Sequence, residues 1–207
     1  MNKFNKLSIT GIILAGGQSS RMGQDKALIT IKGRPMLPKI CQLATEIAPE
    51  VYVITPWQER YQHILPEGCS FIREISFPGE TKPHGPLVGF AQGLAKVRTE
   101  WVFLLACDLP QLPSSEVKKW TEYLVEVPVE AIALLPRHSK GWEPLSGFYR
   151  SRCLPLLNNF INQGGRSFQG WLAQHLVEEL PITEPKMLFN CNTPADLEQL
   201  NSYKEGN

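Results

Sequence analysis

Two short stretches of this 207-residue chain hold the residue types that handle phosphate chemistry. The first runs Leu14-Ala15-Gly16-Gly17-Gln18-Ser19-Ser20-Arg21-Met22-Gly23-Gln24-Asp25-Lys26. Glycines permit positive φ and let backbone amides converge on an anion with no side chain in the way. Arg21 adds a planar fork matched to phosphate oxygens, and Lys26 adds a compact positive charge. Together they could replace much of the water that a triphosphate loses on binding. The second stretch, Trp101-Val102-Phe103-Leu104-Leu105-Ala106-Cys107-Asp108-Leu109-Pro110, delivers a carboxylate to the end of an apolar run. Asp108 in that place suits Mg²⁺, which takes oxygen ligands and keeps several waters beside phosphate. The same aspartate could instead cap the turn encouraged by Pro110. Taken with the glycine-rich stretch, the metal reading is the stronger.

Neither of two familiar nucleotide fingerprints is present. Gly23 is followed by Gln24 and Asp25 where a P-loop needs Lys and then Ser or Thr, and Gly16-Gly17-Gln18 lacks the G-x-G-x-x-G spacing. For the glycines alone, a flexible strand-to-helix turn would be explanation enough. Two glycines, Arg21, Gly23 and Lys26 in one loop favour a phosphate site.

These side chains can act together only if the fold carries them to one edge. Short apolar runs at Ile9–Leu14, Val51–Thr55, Phe71–Ile75, Trp101–Ala106 and Ala131–Leu135 read as strands covered on both faces. Between them, Met36, Leu37, Ile40, Leu43, Ala44 and Ile47 form a helical stripe behind Pro35. Leu87, Phe90, Ala91, Leu94 and Val97 form a second stripe. Val117, Trp120, Thr121 and Leu124 form a third, with Ser114 or Ser115 as its N-cap. Further on, Leu154–Ile161, Phe168–Leu176 and Pro194–Leu200 read as helices and Met187–Asn190 as a short strand. The alternation predicts an α/β fold: a Rossmann-like, mostly parallel sheet with helices on both faces. Residues 1–207 read as a single domain, with a nucleotide-binding half ending near residue 110 and an acceptor-binding half after it. Ligands in such sheets sit at the carboxyl edge, which directs attention to the loops after Leu14, Thr55, Ile75 and Ala106.

Composition removes several classes of function. Twenty-one Lys and Arg against twenty Asp and Glu give a net charge of +1. Such a balance supplies no global field for nucleic acid or an anionic membrane, so an anionic ligand must be gripped locally. Five widely spaced cysteines form no C-x-x-C pair, which argues against a disulfide framework or structural zinc and for a reducing, cytoplasmic setting. The four histidines are equally scattered. The amino-terminal apolar run is broken by Thr10 and Gly11, and reads as a first buried strand rather than a signal peptide or membrane span.

The first stretch, as L-A-G-G-x-S-x-R-M-G-x-D-K, resembles the signature of nucleotidyltransferases with the molybdenum cofactor guanylyltransferase fold. Three later segments are similar to that family in the same order: Gly85-Pro86-Leu87-Val88-Gly89, Cys107-Asp108-Leu109-Pro110, and Asn190-Cys191-Asn192-Thr193-Pro194-Ala195-Asp196-Leu197. Glu143-Pro144-Leu145-Ser146-Gly147-Phe148-Tyr149-Arg150 also resembles its P-L-x-x-L-Y-R segment. The resemblance implies transfer of GMP from GTP to molybdopterin-bound molybdenum cofactor with release of pyrophosphate, Mg²⁺ being the metal. It places Leu14, Ala15, Gly16, Gly17, Lys26, Glu74, Gly85, Pro86, Leu87 and Asp108 against the nucleotide. Asp108, Lys26 and Arg21 carry the catalysis, with Asp108 as metal ligand. Asn190 and Asn192 would hold the acceptor, and Asn192 could complete the metal shell. Arg166, in the Gly164-Gly165-Arg166-Ser167 turn, would add an acceptor contact, while Ser167 reads as a helix cap. Hand-off to cofactor-delivery or acceptor enzymes would be transient.

Two positions depart from the family pattern. Glu74 stands where guanylyl-transferring members usually carry an aspartate, and Thr55-Pro56-Trp57 where an asparagine helps to read guanine. They keep open a cytidylyltransferase of the same cofactor or a sugar-phosphate nucleotidyltransferase. A non-catalytic nucleotide-binding regulator is a different class; a metal carboxylate and a phosphate lysine together speak against it.

Overall fold

The computed structural model describes residues 7–17, 19, 22–75 and 85–202. Seven strands build the central sheet: β1 Ile9–Leu14, β2 Glu50–Thr55, β3 Cys69–Arg73, β4 Trp101–Ala106, β5 Ala133–Leu135, β6 Ser146–Arg150 and β7 Val177–Glu179. Their order is β7-β5-β6-β4-β1-β2-β3. β4, β1, β2 and β3 pair in parallel, as do β5 and β7, while β6 runs antiparallel between β4 and β5.

The central strands are largely apolar because helices cover both faces. On one side, α1 (Met36–Thr45) and α4 (Ser114–Glu122) bury Leu37, Ile40, Val117 and Trp120 against Ile13, Val53, Phe103 and Phe148. On the other, α3 (Pro86–Leu94), α5 (Leu154–Asn162) and α6 (Phe168–Leu172) bury Phe90, Leu157 and Trp171 against Ile12, Ile54, Leu104 and Tyr149. Successive residues such as Ile12 and Ile13 serve opposite faces, as the two-residue period of a strand requires. Each such side chain, wholly removed from water, contributes about 1.5–3 kcal/mol before entropy is counted. A third cluster joins Met22, Ile29, Ile31 and Met36 to Cys191 and Leu200, the last on α7 (Pro194–Ser202). It fastens the glycine-rich stretch to the end of the chain.

Register determines what meets at the carboxyl edge. Leu14 pairs with Ala106 and with Ile54, so β1, β2 and β4 end at one level. Chain order reverses on either side of β1, and the crevice there is where open α/β sheets bind ligands.

Several elements differ from expectation. The third strand closes at Arg73, leaving Glu74 and Ile75 in the following loop. The residue capping α4 is Pro113, because Ser114 already belongs to the helix and its hydroxyl bonds Glu46. Phe168–Leu176 is helical only to Leu172. Met187–Asn190 is no strand: Pro185–Leu188 forms a 3-10 turn, with Pro185 suited to its first position. Strands β6 and β7 were not foreseen.

Candidate active site

Loops leaving β1 and β4, with the segment before α7, enclose a cavity of about 430 Å³. Leu14, Ala15, Gly16, Gly17, Lys26, Glu74, Gly85, Pro86, Asp108, Asn190 and Asn192 all line it. Two expected residues lie elsewhere, and a third is not described. Leu87 is wholly buried in the core beneath α3. Arg166 is an exposed residue whose guanidinium donates to the Ile161 carbonyl at 2.9 Å and the Gly165 carbonyl at 2.8 Å, near the end of α5, and it is not part of the cavity wall. Arg21 falls outside the described residues.

Lys26 is the hinge of the arrangement. Asp25 caps the short Lys26–Leu28 turn, its Oδ1 accepting from the Ala27 amide at 3.1 Å. Ser19, at φ 51°, accepts from the Lys26 amide at 3.2 Å. So placed, Lys26 Nζ lies 3.2 Å from Asp108 Oδ2 and also donates to Asn192 Oδ1. The two charged side chains are each 15% exposed, enclosed enough for the pair to outweigh an ordinary surface salt bridge.

Asp108 does not cap the turn after β4. Its Oδ2 faces Lys26, and its Oδ1 is buried with no protein partner. A buried carboxylate oxygen left without a partner is costly. It fits a hard divalent cation, which would satisfy it from inside the cavity. Among the described residues no cluster of three or more His, Cys, Asp or Glu could hold a metal unaided. A cation at Asp108 would have to draw its other ligands from groups outside such a cluster, such as Asn192, phosphate or water. The neighbouring Cys107 thiol is pushed up to about 12 by burial and by the Asp108 carboxylate. It stays protonated, which disqualifies it as a thiolate nucleophile.

The segment Asn190–Asp196 is pinned by two devices. The Cys191 amide donates to the Asp108 carbonyl at 3.0 Å. Asp196 Oδ2 accepts from the amides of Asn192 and Thr193 at 2.8 and 2.7 Å, while the Thr193 hydroxyl accepts from the Asp196 amide at 3.2 Å. This is a reciprocal capping box with Pro194 at the first helical position. It holds Asn192 against Lys26 without any strand.

Glu74 occupies the opposite wall. Burial alone raises its carboxyl above the usual range. It packs so tightly on the glycine-rich stretch that a Cβ on Gly16 would stand 2.5 Å from its Oε2. Arg73 turns away to Glu59, at 3.3 Å. The Thr55 hydroxyl accepts from the Trp57 amide at 3.1 Å. Gly85, at φ 85°, lets the chain enter α3 beside the cavity.

Sequence reasoning had no role for Ser19, Asp25, Gly89, Glu143 or Ser146, which also line the cavity. Glu143, hydrogen-bonded to the His138 ring, lies there because β6 starts at this edge. Its antiparallel direction was the missing signal. For Asp25, the aspartate two residues before Ala27 was a readable capping signal.

Residues 11–179 match the family model of the MobA-like NTP transferase domain. The chain is 58% identical over 190 residues to a probable molybdenum cofactor guanylyltransferase of Nostoc sp., covering 92% of this chain and 89% of that protein. It is 40% identical over 194 residues to one of Synechococcus elongatus, covering 94% and 98%. Its fold is shared with molybdopterin-guanine dinucleotide biosynthesis protein A from Archaeoglobus fulgidus, with a TM-score of 0.74 at 19% identity over 94% of this chain and 97% of that one.

Proposed function

Because this chain belongs to the MobA-like NTP transferase family, we propose that it transfers GMP from GTP to molybdopterin-bound molybdenum cofactor, forming the guanine dinucleotide cofactor and pyrophosphate. The observation that carries the reading is the meeting of Lys26, Asp108 and Asn192 in one cavity at the chain-order reversal of the sheet.

The reaction is an in-line attack by the acceptor's terminal phosphate on the α-phosphorus of GTP. A bond forms from acceptor oxygen to phosphorus, the bond to the bridging oxygen breaks, and pyrophosphate leaves with its electron pair. Such chemistry asks the protein for positioning and charge neutralisation rather than a nucleophile. The walls at Leu14–Gly17 and Gly85–Pro86 receive the nucleotide, with Glu74 towards its nucleoside end. Lys26 contributes positive charge at the triphosphate, and Arg21 does the same by its place in the glycine-rich stretch. Asp108 is the residue to hold Mg²⁺, which when bound neutralises charge on the reacting and leaving oxygens. Asn190 and Asn192 hold the acceptor phosphate. We place the reaction in the cytoplasm, consistent with five cysteines that are all free. The product passes to acceptor enzymes by transient contact.

Thermal stabilisation by GTP, CTP, UTP and ATP, each with and without Mg²⁺, tests the donor. A ligand at one hundred times its Kd adds about 2.7 kcal/mol, or roughly 5–11 °C for a chain of this size. A magnesium-dependent rise confined to GTP is expected. A rise confined to CTP would replace GMP transfer by CMP transfer.

A further inference from the structure

The helical turn after β2, α2 (Gln58–Tyr61), reaches across to the phosphate-binding stretch through one buried side chain. Tyr61 is 1% exposed, and its hydroxyl donates to Asp25 Oδ2 at 2.7 Å. The same oxygen lies 3.7 Å from Arg60 Nη1, and the Arg60 guanidinium stacks 4.6 Å above the Trp57 ring. The other oxygen of Asp25 caps the turn that begins with Lys26. The chain of contacts therefore runs Tyr61, Asp25, Lys26, Asp108.

We infer that Tyr61 is a positioning residue for nucleotidyl transfer, acting through Asp25 to hold Lys26 at the triphosphate. The inference rests on the donor-site reading above. Asp25 has two jobs that compete for its orientation: capping the Lys26 turn with one oxygen and standing beside the cavity with the other. A carboxylate free to rotate would leave the cap unmade for part of the time, and Lys26 would lose its fixed origin. Tyr61 removes that freedom. Burial and the Asp25 carboxylate both hold its phenol well above its ordinary range, so it remains a donor at any working pH. Arg60 is exposed and supplies charge rather than geometry, because long surface side chains are weakly held. The link also joins the segment after β2 to the segment after β1. Positioning of the phosphates thus depends on a residue that need not touch the nucleotide.

The test uses the full chain carrying Tyr61→Phe, which keeps the buried ring and deletes only the hydroxyl, alongside Asp25→Asn and the double variant. Losing a hydrogen bond to a charged group should lower kcat/KM for GTP by about tenfold or more. The melting temperature without nucleotide should fall by roughly 3–12 °C in Tyr61→Phe, as for any lost hydrogen bond to a charged group, and the rise given by GTP with Mg²⁺ should also shrink. The double variant should be no slower than Asp25→Asn alone, since both act through one contact. A merely structural role would lower the melting temperature as well but leave kcat/KM and the GTP response alone. Wild-type kinetics in Tyr61→Phe, or additive losses in the double variant, would overturn the inference while leaving the donor site standing. A wild-type protein that no nucleoside triphosphate stabilises would instead overturn the donor-site reading, and this inference with it.

Discussion

Lys26 Nζ stands 3.2 Å from Asp108 Oδ2, so the end of the glycine-rich stretch and the loop after β4 share one electrostatic centre. The residues are 82 positions apart in sequence. They meet because Leu14 and Ala106 end their strands side by side.

Asp108→Ala should cut the rate of pyrophosphate release by about 10²–10³-fold, the scale of removing one electrostatic contact at a reacting centre. The fold should survive, since Lys26 keeps Asn192 as a partner and an unsatisfied buried oxygen is removed along with the charge. Steady-state kinetics with a melting curve on the same sample checks both halves.

Gly16→Ala should weaken nucleotide binding more than it weakens the fold. The added Cβ would press on Glu74 Oε2 at 2.5 Å and on Pro56 Cδ at 3.3 Å. Glu74 can swing its carboxylate aside, which relieves the clash but moves a cavity wall. Gly17→Ala is the contrasting variant, because nothing lies within 4 Å of its added methyl. Titration of each with GTP and Mg²⁺ should show the larger loss of affinity for Gly16→Ala.

Burial raises the Glu74 carboxyl above its ordinary 4.5, so the folded protein holds that proton at pH values where the unfolded chain has released it. Its contribution to stability is complete below pH 4.5 and is lost as pH rises through the raised folded value. Glu74→Gln removes the titration. Measured from acid upward, the melting temperature of this variant should gain on wild type across that window. A constant difference between the two curves would contradict the burial argument.

Asp196→Ala removes the acceptor for two backbone amides at the start of α7. The loss should cost about 0.5–2 kcal/mol, as for other helix caps. Because the Asn192 amide is one of the two, the variant should also raise KM for the acceptor while leaving KM for GTP nearly unchanged. Denaturant unfolding and a two-substrate kinetic analysis separate these effects.

The parallel half of the sheet could be read from sequence because β4 is an unbroken apolar run, β1 is mostly apolar, and both have chemistry at their ends. Strand β6 could not, since Ser146 and Gly147 open it and Arg150 closes it, yet all five residues are buried. Arg150 is covered by stacking on Trp101 at 4.3 Å and by Glu100, a tertiary arrangement that no local pattern announces. The site divides similarly. Gly16, Gly17, Lys26 and Asp108 stood out by type and spacing. Asn190 and Asn192 both line the cavity, Asn192 being held there by the capping box at the start of α7, a tertiary placement that the sequence pattern alone does not give. Within residues 85–89, Gly85, Pro86 and Gly89 line the cavity while the Leu87 side chain faces the core.

The central claim is group transfer from GTP at a centre built on Asp108. Its most direct test is to incubate the protein with Mg²⁺, GTP and molybdenum cofactor, then identify the product by mass and follow pyrophosphate. The account predicts a guanine dinucleotide cofactor and an equal amount of pyrophosphate, both dependent on acceptor and both lost in a folded Asp108→Ala protein. Product formation by Asp108→Ala at the wild-type rate would contradict it, as would a wild-type protein that binds GTP but releases no pyrophosphate with the acceptor present.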